Sequence, residues 1–564
     1  MYDRAISTAA VTGETYDLVV VGAGFAGLTA AYCFLKDAGS RRSCLVLDNH
    51  ALLGGEAKRN EFVVGGQRLI GPQGSNTTHA PSLSEGWVGE LWRDLGLPTE
   101  FEYGELPAHR QTLAVSPDNY LYQLWADDFE SHGYFFDGPS PHWVRNPWGH
   151  GLEGTPWPSE IRRDLWRWRH EAAAPFHGDT KALRCWLDSM TYEDYITRVR
   201  GLHPAVARFV DPVVAASIGL GSDAISAYAA YFDEFPGFEG IGRSGFTGVR
   251  SERLADLPRN HVCFPGGNDA ILRCFIKALA PDAIEGGSAF PAVHNGRFRF
   301  EAFDRPHTSC RLRVGATVVR IDSPPDGSGA RGAAIVTYAR GGSLHSVQAR
   351  AVVVASASWV AKHFIRALPD EYRAAMEQFP RSPMLVVNVA LTNWRFLDRL
   401  GFTACSWRGG FGYSANIRSN MYIGDYRPPL DPDRPNILTF YVPFYHVGLP
   451  VVAQGHAGRA ELLSTSYREY ERIVRRQMVT LFESGGFDPA RDVAGVVLNR
   501  WGHAYVNPAP GFYCGRDGQP APSDVLRQPL GRIVFAHSEL TGNQNWFSAA
   551  AEGRRAAEQV RGLA

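Results

Sequence analysis

One unit near the start of the chain constrains the fold more than anything else in the sequence. Residues 16–21, YDLVVV, form an unbroken apolar, largely β-branched run, the pattern of a strand buried on both faces. GAGFAG follows and places Gly22, Gly24 and Gly27 in G-x-G-x-x-G spacing. LTAAYCFLKDAG then reads as a helix stopping at Gly39, and SCLVLD as a second strand closing on Asp48, 21 residues past Gly27. Strand, glycine turn, helix, strand and acid at this spacing make a complete dinucleotide-binding fingerprint. The glycines admit a pyrophosphate to the backbone at a helix N-terminus, where free N–H groups favour negative charge, and Asp48 accepts hydrogen bonds from ribose hydroxyls.

The residues after Asp48 do not belong to a plain nicotinamide-binding unit. DNHALLGGEAKRNEF turns through Gly54 and Gly55 and runs straight into Lys58 and Arg59. Two later segments also look able to reach the same ligand: the strand around Val318, and residues 531–550. Three separated stretches meeting on one ligand suit a cofactor larger than NAD, and FAD is expected.

The whole chain, at 564 residues, exceeds what one core can organise. Beyond about Leu83 tryptophans crowd in (Trp87, Trp92, Trp143, Trp148 and others) between Pro- and Gly-rich segments, without a second nucleotide pattern. β/α character returns at HVCFPGGNDAILRCFIKAL. RLRVGATVVRIDS is expected as one strand and AELLSTSYREYERIVRRQMVTLF as one long helix. The fold class implied is α/β (α+β, two domains): a Rossmann-like FAD-binding domain over 16–84, 262–365 and 526–564, interleaved with a mixed substrate domain over 85–261 and 366–525.

A formal net charge of −1 gives no electrostatic reason to expect nucleic acid or a membrane surface, and the apolar runs are too short to span a bilayer. The eight cysteines lack any C-x-x-C pairing, so reduced thiols and no metal site are expected. With no apolar export segment in MYDRAISTAAVTGET, the expected location is cytoplasmic.

Together with LDNHALLGGEAKRNEF, the stretches GLGSDAISA, PGFEGIG, FPGGNDAILR, LTNWRFLDRLG, GGFDPARD and NRWGHAYVNP carry a resemblance that spans nearly the whole chain. The sequence resembles the flavin-containing amine oxidoreductases, and among them most the bacterial spermidine dehydrogenases. That resemblance implies an FAD fold with an amine-binding substrate domain. Phe25, Ala26, Asn49, Gly55 and Glu56 then belong to the cofactor-binding set with Gly22, Gly24, Gly27, Asp48 and Val318. Gly71, Pro72, Gln73 and Gly74 would run beside the isoalloxazine. Ser538 and Glu539 would approach the ribityl chain, and a helix beginning near Phe547, with Trp546 and Ser548, would aim its N–H groups at the flavin N1–C2=O edge.

For catalysis, Trp501 and Tyr505 resemble the aromatic walls that flank the amine in this family, with His503 between them, and Gln73 is a candidate contact to flavin or substrate. The position before the aromatic wall is Ala504 where covalent relatives have cysteine, so FAD is expected to be non-covalent. The dehydrogenases resembled are associated with haem as well. This sequence has no covalent haem motif, and FAD without haem b is expected. The function implied is hydride transfer from the carbon next to an amine of a polyamine, amino acid or amine-bearing biosynthetic intermediate. Molecular oxygen is preferred as acceptor over other electron carriers, and a homodimer is compatible with the sequence. The alternative is an FAD-dependent desaturase or monooxygenase of a secondary pathway, since one flavin fold hosts several chemistries.

Overall fold

The computed structural model describes residues 9–36, 42–79, 86–110, 112–116, 129–241, 261–323 and 332–563. The DRAI start and Gly39 lie outside them. Two seven-stranded sheets form the framework. In the first, the strand Ala10–Val21 sits between Cys44–Leu47 and Ser343–Val354 and runs parallel to both. Cys310–Arg313 extends the sheet beyond Cys44–Leu47. The strand Ser343–Val354 is twelve residues long and is used twice on its other edge. Its first half pairs antiparallel with Ala334–Arg340, and its last three residues pair parallel with Ile533–Phe535. Apolar runs such as Leu18–Val21 and Val352–Val354 are buried because helices or further strands cover both faces.

The first helix, Phe25–Lys36, packs along the C-terminal helix, Trp546–Arg561. Gly553 makes this approach close: a Cβ there would collide with the Ala26 carbonyl oxygen and crowd Thr29. The sheet is therefore completed by the C-terminal segment, which returns to the strand and helix at the start of the chain.

The second sheet is ordered Val493–Val506, Arg381–Leu391, Asn436–Pro443, Ser414–Asn416, Ala404–Arg408, His132–Phe136, His142–Arg145. Its strand Arg381–Leu391 is buried along its whole length, between Val493–Val506 and Asn436–Pro443. A hairpin, Arg59–Val64 with Gln67–Pro72, turns through Gly65 and Gly66, both left-handed as such a two-residue turn requires. It carries the loop after Asp48 across to the second sheet.

Three expectations are corrected. Residues 310–322 form two strands, Cys310–Arg313 and Thr317–Asp322, parted at Gly315, whose φ of 62° breaks the extended run. The expected long helix is two helices, Val451–Ser464 and Tyr467–Phe482. Thr465 is extended, and Ser466 caps the second helix by accepting from Glu469 N–H, so the S-x-x-E capping box inside SYRE is the physical reason for the break. Third, Cys185 and Cys514 form a disulfide across 329 residues, while six cysteines are free and buried. Partners this distant in sequence leave no spacing signal. Among the described residues no helix is long and apolar enough to cross a membrane, and no cluster of three potential metal ligands occurs.

Replacing Gly553 by leucine is expected to force the first and last helices apart. Overpacking of a tight contact costs about 1–3 kcal/mol, read as a lower Tm by differential scanning fluorimetry.

Candidate active site

The backbone of Ala23 organises the nucleotide end of the site. Its N–H donates to Asp48 Oδ2 at 2.8 Å, and its carbonyl accepts from Gly54 N–H at 3.0 Å. The glycine turn is thereby tied to the end of the second strand and to the glycine-pair loop at once. Gly54 and Gly55 have φ of 129° and 57°, left-handed values that a side chain rarely tolerates. A Cβ built on Gly24 would lie 4.0 Å from Gly55 Cα, and one built on Gly55 3.5 Å from Gly24 Cα, so the two glycine loops pass within van der Waals distance of each other. Asp48 is buried, and its backbone carbonyl accepts from Ala316 N–H, two residues before Val318. Asn49 stays exposed beside it. Gly22, Gly24, Gly27, Asp48, Gly55 and the Val318 strand are thus brought together. Phe25 and Ala26 turn their side chains into the core.

Lys58 and Arg59 are not a solvated basic turn. Lys58 is buried, 3.1 Å from His50 Nδ1 and 5.8 Å from the centre of the Trp501 ring. Burial pulls its pKa down, while Asp48 and Glu56 pull it up. Arg59 pairs with Glu61 at 2.8 Å and donates to the His294 carbonyl, so it anchors the loop.

The segment 71–76 is held by three adjacent strands of the second sheet. Asn388 donates to the Pro72 carbonyl at 2.7 Å, Tyr441 to the Gly74 carbonyl at 2.9 Å, and the Trp501 indole to the Gln73 carbonyl at 2.7 Å. A Cβ on Gly71 would press on Asn388, and one on Gly74 on Glu56 and Trp501. The Gln73 side chain donates to Arg59 O and Asn60 Oδ1. Asn388 and Tyr441 carry no mark in the sequence, because a single polar residue inside a β-branched strand gives no signal of its target.

Beside this loop Trp501, Tyr505, Tyr413 and Tyr441 belong to one aromatic cluster, with two acids, Glu56 and Asp233, within electrostatic reach of Tyr505. Glu56, Asp233 and Tyr505 are each partly accessible. Burial pushes the Glu56 carboxyl up to about 7, against the pull of Arg381 and Lys58. Burial, then the charge of Glu234, pushes Asp233 to about 7 as well. Burial beside Glu56, Tyr413 and Asp233 drives the Tyr505 phenol far above its ordinary value, so it remains protonated. Asp233 accepts from Asn543, Asn543 Oδ1 accepts from Asn545 at 2.5 Å, and Asn545 Oδ1 caps Ser548 N–H at the start of the C-terminal helix.

His503 does not sit between Trp501 and Tyr505. Tyr505 is opposite Ser382 and Trp501 opposite Met384, so four steps on one strand face two on the other. This bulge breaks the alternation. His503 stacks on Trp359 instead, with ring centres 3.7 Å apart and planes at 8°. Burial, with Arg459, Arg381 and His456 nearby, lowers its pKa to about 4, which keeps it neutral.

At the rear, Glu539 is engaged on both oxygens: Ser358 N–H and hydroxyl donate to one, and Arg381 pairs with the other at 3.0 Å. Arg381 also donates to the carbonyl of His503. Ser538 lies beside it in the same short turn. The helix expected near Phe547 starts at Trp546, whose indole donates to Thr78 and packs 5.9 Å from Phe25 and 6.0 Å from Trp92. Trp546 is therefore a core residue, and Phe547 lies at the surface.

These features fit FAD. Two glycine loops free of side chains meet where two helices begin side by side, with free N–H groups that suit a pyrophosphate. The Ser356 hydroxyl, at the end of the strand beside Gly22, is buried with no hydrogen-bond partner among the described residues. It is a donor free for a ligand, and nothing in the sequence around it singles it out.

Two family descriptions match the chain: flavin containing amine oxidoreductase over residues 302–561, and NAD(P)-binding Rossmann-like domain over 20–95. The C-terminal part of the chain thus matches the flavin amine oxidoreductases, and the protein is an FAD-dependent amine oxidoreductase. Its fold is shared with putrescine oxidase bound to putrescine, at 14% identity and TM-score 0.56, covering 97% of this chain and 99% of that one. Cyclohexylamine oxidase from Brevibacterium oxydans IH-35A aligns at 16% identity and TM-score 0.57, covering 97% and 98%. A CLA-producing fatty acid isomerase from P. acnes aligns at 12% identity and TM-score 0.54, covering 96% and 97%. No curated protein matches the sequence significantly.

Because a Cβ at Gly24 strikes no protein atom yet crowds the backbone that a pyrophosphate would approach, Gly24→Val is expected to fold with an unchanged far-ultraviolet dichroism spectrum and to purify colourless. Retention of the flavin absorbance would show that the Gly24 turn is not the pyrophosphate site.

Proposed function

We propose that the protein oxidises an amine by hydride transfer from the carbon next to nitrogen, with molecular oxygen as acceptor and FAD held non-covalently. A di- or polyamine is the favoured substrate, ahead of an amino acid or an amine-bearing biosynthetic intermediate. The observation that carries this reading is the pair of acids beside an aromatic cluster: Glu56 on the loop after Asp48 and Asp233 from the other domain, with Tyr505 within electrostatic reach of both. Carboxylates attract cations, aromatic faces attract ammonium groups, and the sequence resemblance to spermidine dehydrogenases points the same way.

FAD, when bound, supplies the two-electron acceptor. The chain supplies the rest. The loop 71–74, fixed by Asn388, Tyr441 and Trp501, forms a rigid floor on which a substrate is positioned. Trp501, Tyr505, Tyr413 and Tyr441 exclude water, which favours the neutral amine needed for hydride loss. Tyr505, held as a phenol, serves as a hydrogen-bonding wall. Asp233 anchors the distal ammonium of the substrate, and the Asp233–Asn543–Asn545 chain fixes that anchor relative to the helix at the flavin end.

An anaerobic titration of the yellow holoenzyme with diamines, polyamines, monoamines and amino acids tests this reading. Bleaching by amines without NADPH is expected, with di- or polyamines acting at the lowest concentrations. Bleaching only with NADPH favours oxygenation, and bleaching by none of the amines sinks the proposal.

Amine capture needs the acids ionised, so kcat/KM for a diamine is expected to rise as pH increases through about 7, where both carboxyls lose their protons. Asp233→Asn is expected to raise KM for a diamine about tenfold or more, the scale of one lost charge-assisted contact, while changing KM for a monoamine much less. Steady-state kinetics across about pH 6–9, bracketing the shifted carboxyls, measure this with both substrates.

A further inference from the structure

The Cys185–Cys514 disulfide adjoins Tyr513, which lies within electrostatic reach of Asp233. Cys185 lies on the helix Thr180–Asp188, and Cys514 on the loop that follows the strand Val493–Val506. The helix grips that loop at several further points. Asp188 accepts from the backbone N–H groups of Tyr513 and Cys514, both at 2.9 Å, and its carbonyl accepts from Gly511 N–H. Arg184 donates to the Tyr513 carbonyl at 2.7 Å and lies over the Tyr513 and Tyr228 rings. Tyr513 packs edge-on against Tyr228 with ring centres 4.8 Å apart, and its hydroxyl sits so close to Gly542 that no Cβ would fit there. The next residue, Asn543, donates to Asp233. A continuous contact path therefore runs from the disulfide through Tyr513 to Gly542, Asn543 and Asp233.

We propose that the Cys185–Cys514 disulfide is a clamp that positions Tyr513 as the outer wall of the amine site, so that the oxidised protein holds Asp233 in its substrate-binding geometry and the reduced protein does not. The clamp rests on the assignment of the aromatic cluster as an amine site. A dithiol reductant would open it: two electrons and two protons pass from the dithiol, which closes to its own disulfide, and the Cys185–Cys514 bond becomes two thiols. Tyr513 is thus a positioning residue, acting through Gly542 and Asn543 on the Asp233 anchor.

The test uses the FAD-loaded protein. Thiol titration under denaturing conditions is expected to give six groups before reduction, matching the six free cysteines, and all eight cysteines of the sequence after dithiothreitol. On reduction KM for a diamine is expected to rise about tenfold with kcat little changed, the pattern of a lost binding contact. Limited proteolysis should then cut within residues 508–521, and reoxidation should restore both properties. The C185S/C514S double variant should behave as reduced protein and ignore dithiothreitol. Tyr513→Ala should reproduce the KM change with its disulfide intact, and Tyr513→Phe should largely retain the original KM. Eight thiols in untreated protein, or an unchanged KM and protected loop after reduction, would overturn the proposal. If no amine reduces the flavin, the amine site has failed, whereas thiol count and proteolysis still decide whether the clamp exists.

Discussion

The Ala23 backbone is the point on which the architecture of the site turns. With its N–H given to Asp48 and its carbonyl taken by Gly54, it holds the G-x-G-x-x-G turn and the glycine-pair loop at fixed separation. A buried residue must satisfy both its backbone groups, and here each partner comes from a different part of the fingerprint. No side chain covers the backbone there, and Gly24 and Gly55 pass within van der Waals distance of each other. Hairpin, loop 71–76 and second sheet all follow from the direction in which this loop leaves.

The second sheet does not merely cover the first. Three of its neighbouring strands each send one side chain, Asn388, Tyr441 and Trp501, to the carbonyls of Pro72, Gly74 and Gln73. This arrangement joins the two halves of the molecule through directional bonds, where apolar packing alone would permit sliding. The strand bulge near Trp501 adds a second consequence: it keeps Trp501 and Tyr505 in the aromatic cluster while sending His503 to Trp359. The buried Glu539–Arg381 pair fixes the far end of the same strand, because Arg381 also bonds the His503 carbonyl. A charge pair this buried is costly to break on one side, which makes it a rigid support.

Much of the nucleotide end is legible in the sequence because its demands are local. A glycine is needed wherever backbone must approach a phosphate, and the spacing of Gly22, Gly24, Gly27 and Asp48 follows from one strand, one turn and one helix. The substrate end is less legible. A family likeness marks Trp501 and Tyr505, yet it puts His503 in the wrong place, because a bulge is invisible in a strand-like sequence. Trp546 reads as a cofactor neighbour and is core, since an indole serves either purpose. The helix break at Ser466 is written in its capping box, and the apolar periodicity on either side of that box masks it.

Residues close together along the chain encode the cofactor-binding βαβ unit, the likeness to flavin amine oxidoreductases and the aromatic pair on one strand. Spacing and residue type suffice for these, because each is built within one or two neighbouring elements. Packing in three dimensions alone brings Asp233 and Glu56 within reach of Tyr505, sets Asn388 and Tyr441 beneath the loop, and joins Cys185 to Cys514. Those contacts link residues far apart along the chain, and no local pattern announces them. They exist because two sheets and the returning C-terminal segment close on one another.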